Sequence, residues 1–168
     1  MTPELRQLLS DKARSLQLRL NHGRVDPITA ATETVRLFTD AQDAVRVRWL
    51  NLELHGYGER VDSAPLNLVL GVPPGDRLAA HVAAYRTQRG RAGGVEFRHF
   101  FVEPLHELVS ASARVATSAE TSEVELEFAP SIEAPEHPRT GTFSRDVFGR
   151  VLTGFVAALY LQLGVLIK

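Results

Sequence analysis

The sequence predicts an α+β fold in which N-terminal helices pack on a small, mainly antiparallel sheet and a long apolar helix follows. Three patterns predict it. Apolar residues recur at helical spacing in the first 57 residues, they alternate in short runs between residues 66 and 128, and residues 151–167 carry no charge. We expect a single domain over 1–168: helical over 1–57, mixed strand and helix over 58–129, an exposed loop over 130–142, and a C-terminal helix over 143–167.

Helix signals open the chain twice. Thr2 can cap a first helix that has Pro3 in its first turn, and Gly23 is placed to end it. Asp26 and Pro27 repeat the same arrangement for a second helix. The sequence therefore predicts two amphipathic helices in the first forty residues.

A third helix is expected to begin at Thr39 or Asp40 and to end at Gly56. Trp49, the only tryptophan of the chain, lies on its apolar face, so we predict that it is a core anchor.

Glu53 lies on the same predicted helix as Arg46 and Arg48. The simplest expectation is a solvent-exposed ion pair with one of these arginines.

The middle of the chain alternates between strand and helix patterns. We predict strands over 66–72 and 95–102 and helices over 77–89 and 104–115, and the clearest strand is "EVELEF" at 123–128. Its three glutamates share one face, but no histidine lies nearby at ligand spacing. We therefore expect a solvated face and no metal site.

The uncharged segment over 151–167 is at the short limit for crossing a bilayer. We favour burial within protein, either in the domain or against a second subunit. The hypothesis that follows is an oligomer or effector contact formed by one face of this helix, comprising Val151, Phe155, Leu159 and Leu163.

Composition excludes several classes of function. The net charge of −1 gives no general basic field, so we do not expect nucleic-acid binding. The absence of cysteine excludes disulfides and thiolate chemistry, and we expect a cytoplasmic protein.

No catalytic constellation is evident, so we predict no enzyme activity, no cofactor and no metal. No histidine pair has zinc-binding spacing, and no serine lies in a nucleophile elbow. A ligand-sensing alternative places Arg86, Arg89 and His99 around a phosphate-bearing metabolite.

The stretch "RWLNLELHGY", followed by "YRTQRG" and "FRHFFVEPLHELV", resembles the AbiTii-type domain of bacterial abortive-infection and related conflict systems. The likeness spans about residues 27–115. Trp49, Glu53, Gly56 and Tyr57 occupy the places of the family's aromatic, acidic, glycine and tyrosine positions, and Tyr85 begins the later Tyr-Arg element.

This resemblance implies a non-enzymatic accessory or adaptor module in defence against phage. Such a module would act by protein–protein contact, as a homo-oligomer or on an effector protein. The alternatives are the ligand-sensing domain and an effector attached to a membrane through the C-terminal helix.

Overall fold

The computed structural model describes residues 1–57, 85, 103–117, 123–128, 139–144 and 147–167. Numbered over these residues, the elements are α1 (Pro3–Asn21), α2 (Pro27–Asp40), α3 (Ala44–His55), α4 (Leu105–Thr117), β1 (Glu123–Phe128), β2 (Arg139–Ser144) and α5 (Val147–Leu163), and a 3-10 helix (Gly164–Ile167) continues α5. Tyr85 is also helical.

The first two helices begin where the sequence predicts. The hydroxyl of Thr2 accepts a hydrogen bond from the backbone N–H of Leu5 at 3.3 Å. One carboxylate oxygen of Asp26 accepts from the N–H groups of Ile28 and Thr29, at 3.0 and 2.9 Å. These bonds satisfy amides that have no partner within their own helix, so both predicted caps are confirmed.

Helices α1 and α2 each end in a turn with the same hydrogen-bond pattern. After α1, the N–H of Gly23 donates to Leu20 and the next N–H donates to Arg19. After α2, the N–H of Gln42 donates to Thr39 and the next N–H donates to Phe38. Both turns need a residue with positive φ, which is 62° at Gly23 and 60° at Gln42.

This second turn corrects the predicted start of the third helix. Thr39 and Asp40 belong to α2, and α3 begins at Ala44, with Asp43 as its cap. The carboxylate of Asp43 accepts from the N–H of Arg46 at 3.1 Å. The predicted end at Gly56 is confirmed, since its φ of 92° and ψ of 156° fall in a region that essentially only glycine adopts.

The predicted α+β class is wrong. Among the described side chains, every member of the buried hydrophobic core lies in a helix. Helices α1, α2, α4 and α5 pack mainly against other helices, and α4 also makes a smaller contact with β1. Amphipathic helices can bury their apolar stripes against each other, so the N-terminal helices need no sheet beneath them.

The predicted strand over 123–128 is confirmed as β1, which pairs antiparallel with β2 from Glu123 opposite Ser144 to Phe128 opposite Arg139. Within the described residues these two strands form a two-stranded ribbon. Residues 139–142 of the predicted exposed loop are therefore strand, and the rest of that loop lies outside the described residues.

Two more helix predictions hold with shifted bounds. The helix predicted over 104–115 is α4, and the predicted long apolar C-terminal helix is α5 with its 3-10 extension, which begins four residues after the predicted 143. The strands predicted over 66–72 and 95–102 lie outside the described residues, as does the helix over 77–89 apart from Tyr85.

Side chains from the N-terminal helices hold α5 in place. Gln17 of α1 donates to the backbone oxygen of Tyr160 at 2.7 Å, and Arg46 of α3 donates to the side-chain oxygen of Gln162 at 2.8 Å. Arg46 also pairs with Asp43 and lies over the ring of Phe38, with its guanidinium carbon 5.5 Å from the ring centroid. The first three helices and α5 therefore form one packed unit.

Candidate functional site

A buried polar cluster joins four residues that the resemblance singles out. Trp49 and Glu53 lie one turn apart on α3, and Tyr57 follows four residues later, just beyond the glycine that ends the helix. Trp49 and Glu53 therefore lie on the same face of α3, and the hydroxyl of Tyr57 reaches Glu53 from beyond the end of the helix. We call Trp49, Glu53, Tyr57 and Tyr85 the Glu53 cluster.

Hydrogen bonds connect the whole Glu53 cluster. The indole N–H of Trp49 donates to the hydroxyl of Tyr85 at 3.1 Å. The hydroxyl of Tyr85 donates in turn to Oε1 of Glu53, and the hydroxyl of Tyr57 donates to the same oxygen. A single carboxylate oxygen thus gathers two phenol donors, one of which also accepts from the indole.

The C-terminal helix packs against this cluster through Phe155. Its ring lies 6.1 Å from the ring of Trp49 and 6.0 Å from the ring of Tyr85, centroid to centroid, with the second pair arranged edge to face. Aromatic pairs in such tilted geometry contribute about 0.5–1.5 kcal/mol beyond the area they bury. The polar cluster and the apolar helix α5 are therefore parts of the same core.

Burial decides what this cluster can do. Trp49, Glu53 and Tyr85 have no exposed surface, and Tyr57 is 4% exposed. A general acid or base must come within hydrogen-bond distance of its substrate, and a substrate in solvent cannot reach these groups without opening the core. The arrangement positions the helices and lacks the solvent access of an active site.

Of the two roles predicted for Trp49 and Glu53, the first is confirmed and the second is wrong. Trp49 is the core anchor that the sequence predicts. The solvated ion pair predicted for Glu53 is wrong, because its carboxylate is fully buried, and Arg46 is instead held by Asp43 and Gln162. The spacing of Glu53, four residues after Trp49, was the available signal that both share the buried face.

The four residues proposed as an oligomer or effector contact lie inside the chain itself. Their exposed fraction is at most 1%, and they are Val151, Phe155, Leu159 and Leu163. In this conformation they present no surface to a partner. A Phe155→Glu substitution would place a charge in the core and would therefore report on folding and not on association.

The three residues of the ligand-sensing alternative, Arg86, Arg89 and His99, lie outside the described residues. Tyr85, which precedes Arg86, is a buried member of the Glu53 cluster.

An open groove lies between α2, α3 and the start of α4. Its volume is about 600 Å³, within the range of ligand-binding clefts. We call it the α2–α3 groove, and its described lining comprises Ile28, Thr32, Val35, Arg36, Asn51, Leu54, His55, Pro104 and His106. Sequence patterns do not indicate this groove, because its residues come from segments up to 78 positions apart that only the helix packing brings together.

Metal ligation and membrane spanning are two further possibilities for the described part of the chain. Within it, no group of three or more histidine, aspartate or glutamate side chains could hold a metal ion. One helix, Val147–Ile167, is long and apolar enough to cross a membrane, with a mean hydropathy of 1.8, and 44% of its most apolar stretch is buried within the protein. Core helices of soluble proteins have the same properties, so this is weak evidence for a membrane span.

The described fold and site thus define a helical domain with a buried, hydrogen-bonded aromatic and carboxylate cluster and an open groove on its surface. Comparisons with protein-family models, with curated proteins and with solved structures find no match for this chain.

Proposed function

We propose that this chain is a non-catalytic accessory or adaptor module of a bacterial antiphage defence system of the abortive-infection type. It acts by contact, either with further copies of itself or with an effector protein. The observation that carries the proposal is the Glu53 cluster, in which residues of the resemblance motif bond to one another inside the core.

The burial of the motif residues indicates their role. Buried side chains that form hydrogen bonds with each other stabilise a fold. A motif made of such residues is therefore characteristic of a type of domain. The motif Trp49, Glu53 and Tyr57 is of that kind here, since each side chain is at most 4% exposed. A domain whose motif serves its fold is expected to act through its surface.

Phage challenge tests the cellular role. The gene is deleted from its locus, and plaque formation is compared with that of the intact locus and of the deletion carrying the wild-type gene on a plasmid. Loss of protection on deletion, with recovery by the plasmid copy, is the expected result. Unchanged protection in the deletion strain would contradict the defence assignment.

The mass of the purified protein tests action by contact. The chain is expressed alone and together with the products of neighbouring genes, and the complexes are measured by light scattering coupled to size exclusion. A defined oligomer or a stoichiometric complex with a neighbour supports the adaptor proposal. A monomer under every condition contradicts it.

Two controls separate this proposal from its alternatives. A thermal shift on adding a nucleotide from a panel of phosphate-bearing metabolites would favour ligand sensing. Recovery of the expressed chain in the membrane fraction, resistant to high salt and carbonate, would favour insertion of α5 in lipid.

A further inference from the structure

We draw no further inference here: the strongest candidate, the open α2–α3 groove with its half-buried apolar residues Ile28, Val35, Leu54 and Pro104, carries none because nothing in the structure shows what covers it.

Discussion

The three tyrosines of the chain allow the Glu53 cluster to be measured one hydroxyl at a time. They are Tyr57, Tyr85 and Tyr160. Each is changed to phenylalanine, which removes only the hydroxyl. We predict that the loss of folding free energy is largest for Tyr85→Phe, intermediate for Tyr57→Phe and smallest for Tyr160→Phe.

The hydrogen bonds of each hydroxyl determine the expected loss of folding free energy. Tyr57 donates to the buried carboxylate of Glu53, and a hydrogen bond to a charged group contributes about 1.5–3 kcal/mol. Tyr85 makes an equivalent bond and also accepts the N–H of Trp49, whose loss of an acceptor inside the core costs about 1–3 kcal/mol more. We therefore expect about 2 kcal/mol for Tyr57→Phe and about 4 kcal/mol for Tyr85→Phe.

Tyr160 provides the matched control. Its side chain is 36% exposed, and the bond recorded at this residue uses its backbone oxygen, which the substitution leaves unchanged. Tyr160→Phe is therefore expected to change stability by less than about 0.5 kcal/mol.

Equilibrium unfolding in urea measures all three variants with one intrinsic signal. Trp49 is the only tryptophan, it is fully buried, and its ring contacts the core beside Tyr85, so its emission reports loss of this packing. The midpoint and slope of each transition give the free energy of unfolding. Circular dichroism at the same urea concentrations verifies that the helices are lost in the same transition.

Two results would contradict the predicted ranking of the variants. If Tyr85→Phe is no more destabilising than Tyr160→Phe, the hydroxyl of Tyr85 makes no buried bond of consequence and the Glu53 cluster is not an energetic unit. A larger cost for Tyr57→Phe than for Tyr85→Phe would refute the shared role of the Tyr85 hydroxyl.

Further predictions follow from the turns, the caps and the core, and the same urea titration measures each. Gln42→Gly should stabilise the protein by about 1 kcal/mol, because glycine adopts positive φ without strain. Gly23→Ala should destabilise it by about 1 kcal/mol in the equivalent turn. The added methyl group meets nothing within 4 Å, so this cost comes from the backbone conformation. Asp26→Ala should cost about 1 kcal/mol through loss of the cap. Hydrogen bonds from Thr29 and the neighbouring backbone lower the pKa of Asp26 in the folded state. The contribution of Asp26 to stability is therefore present above its unfolded pKa of about 3.9 and disappears as the pH falls through the lower folded pKa. This pH dependence of stability should be absent from Asp26→Ala. Phe155→Ala should cost about 3–5 kcal/mol, whereas Val165→Ala at a 38% exposed position should cost less than about 1 kcal/mol.

Local signals in the sequence were sufficient for the starts of α1 and α2. Thr2 and Asp26 cap α1 and α2 as predicted, because a cap depends only on residues within one turn. The end of α2 was missed because Gln42 fills a position that glycine usually holds, and nothing local marks a glutamine for that role. The strand β1 was recognised from its strict alternation.

The fold class and the site depend on contacts that are distant along the chain. An alternating segment predicts a strand but does not indicate whether other elements pack on it, and here the core formed by the described side chains is helical. The burial of Glu53 could be inferred from its spacing to Trp49, but its two phenol donors could not, since one of them lies 32 residues away. Arg36, His55 and His106 likewise line the same groove only because three helices pack together.

The bonds that hold α5 have a kinetic consequence. Gln162 is 116 residues from Arg46, and the backbone oxygen of Tyr160 is 143 residues from Gln17, whereas Trp49 and Tyr85 are 36 apart. Closing a flexible loop of 116 residues costs about 1 kcal/mol more entropy than closing one of 36. The helices themselves can form within microseconds, but bringing the two ends of the chain together limits the rate, so this domain should fold more slowly than bundles whose neighbouring helices pack in sequence order.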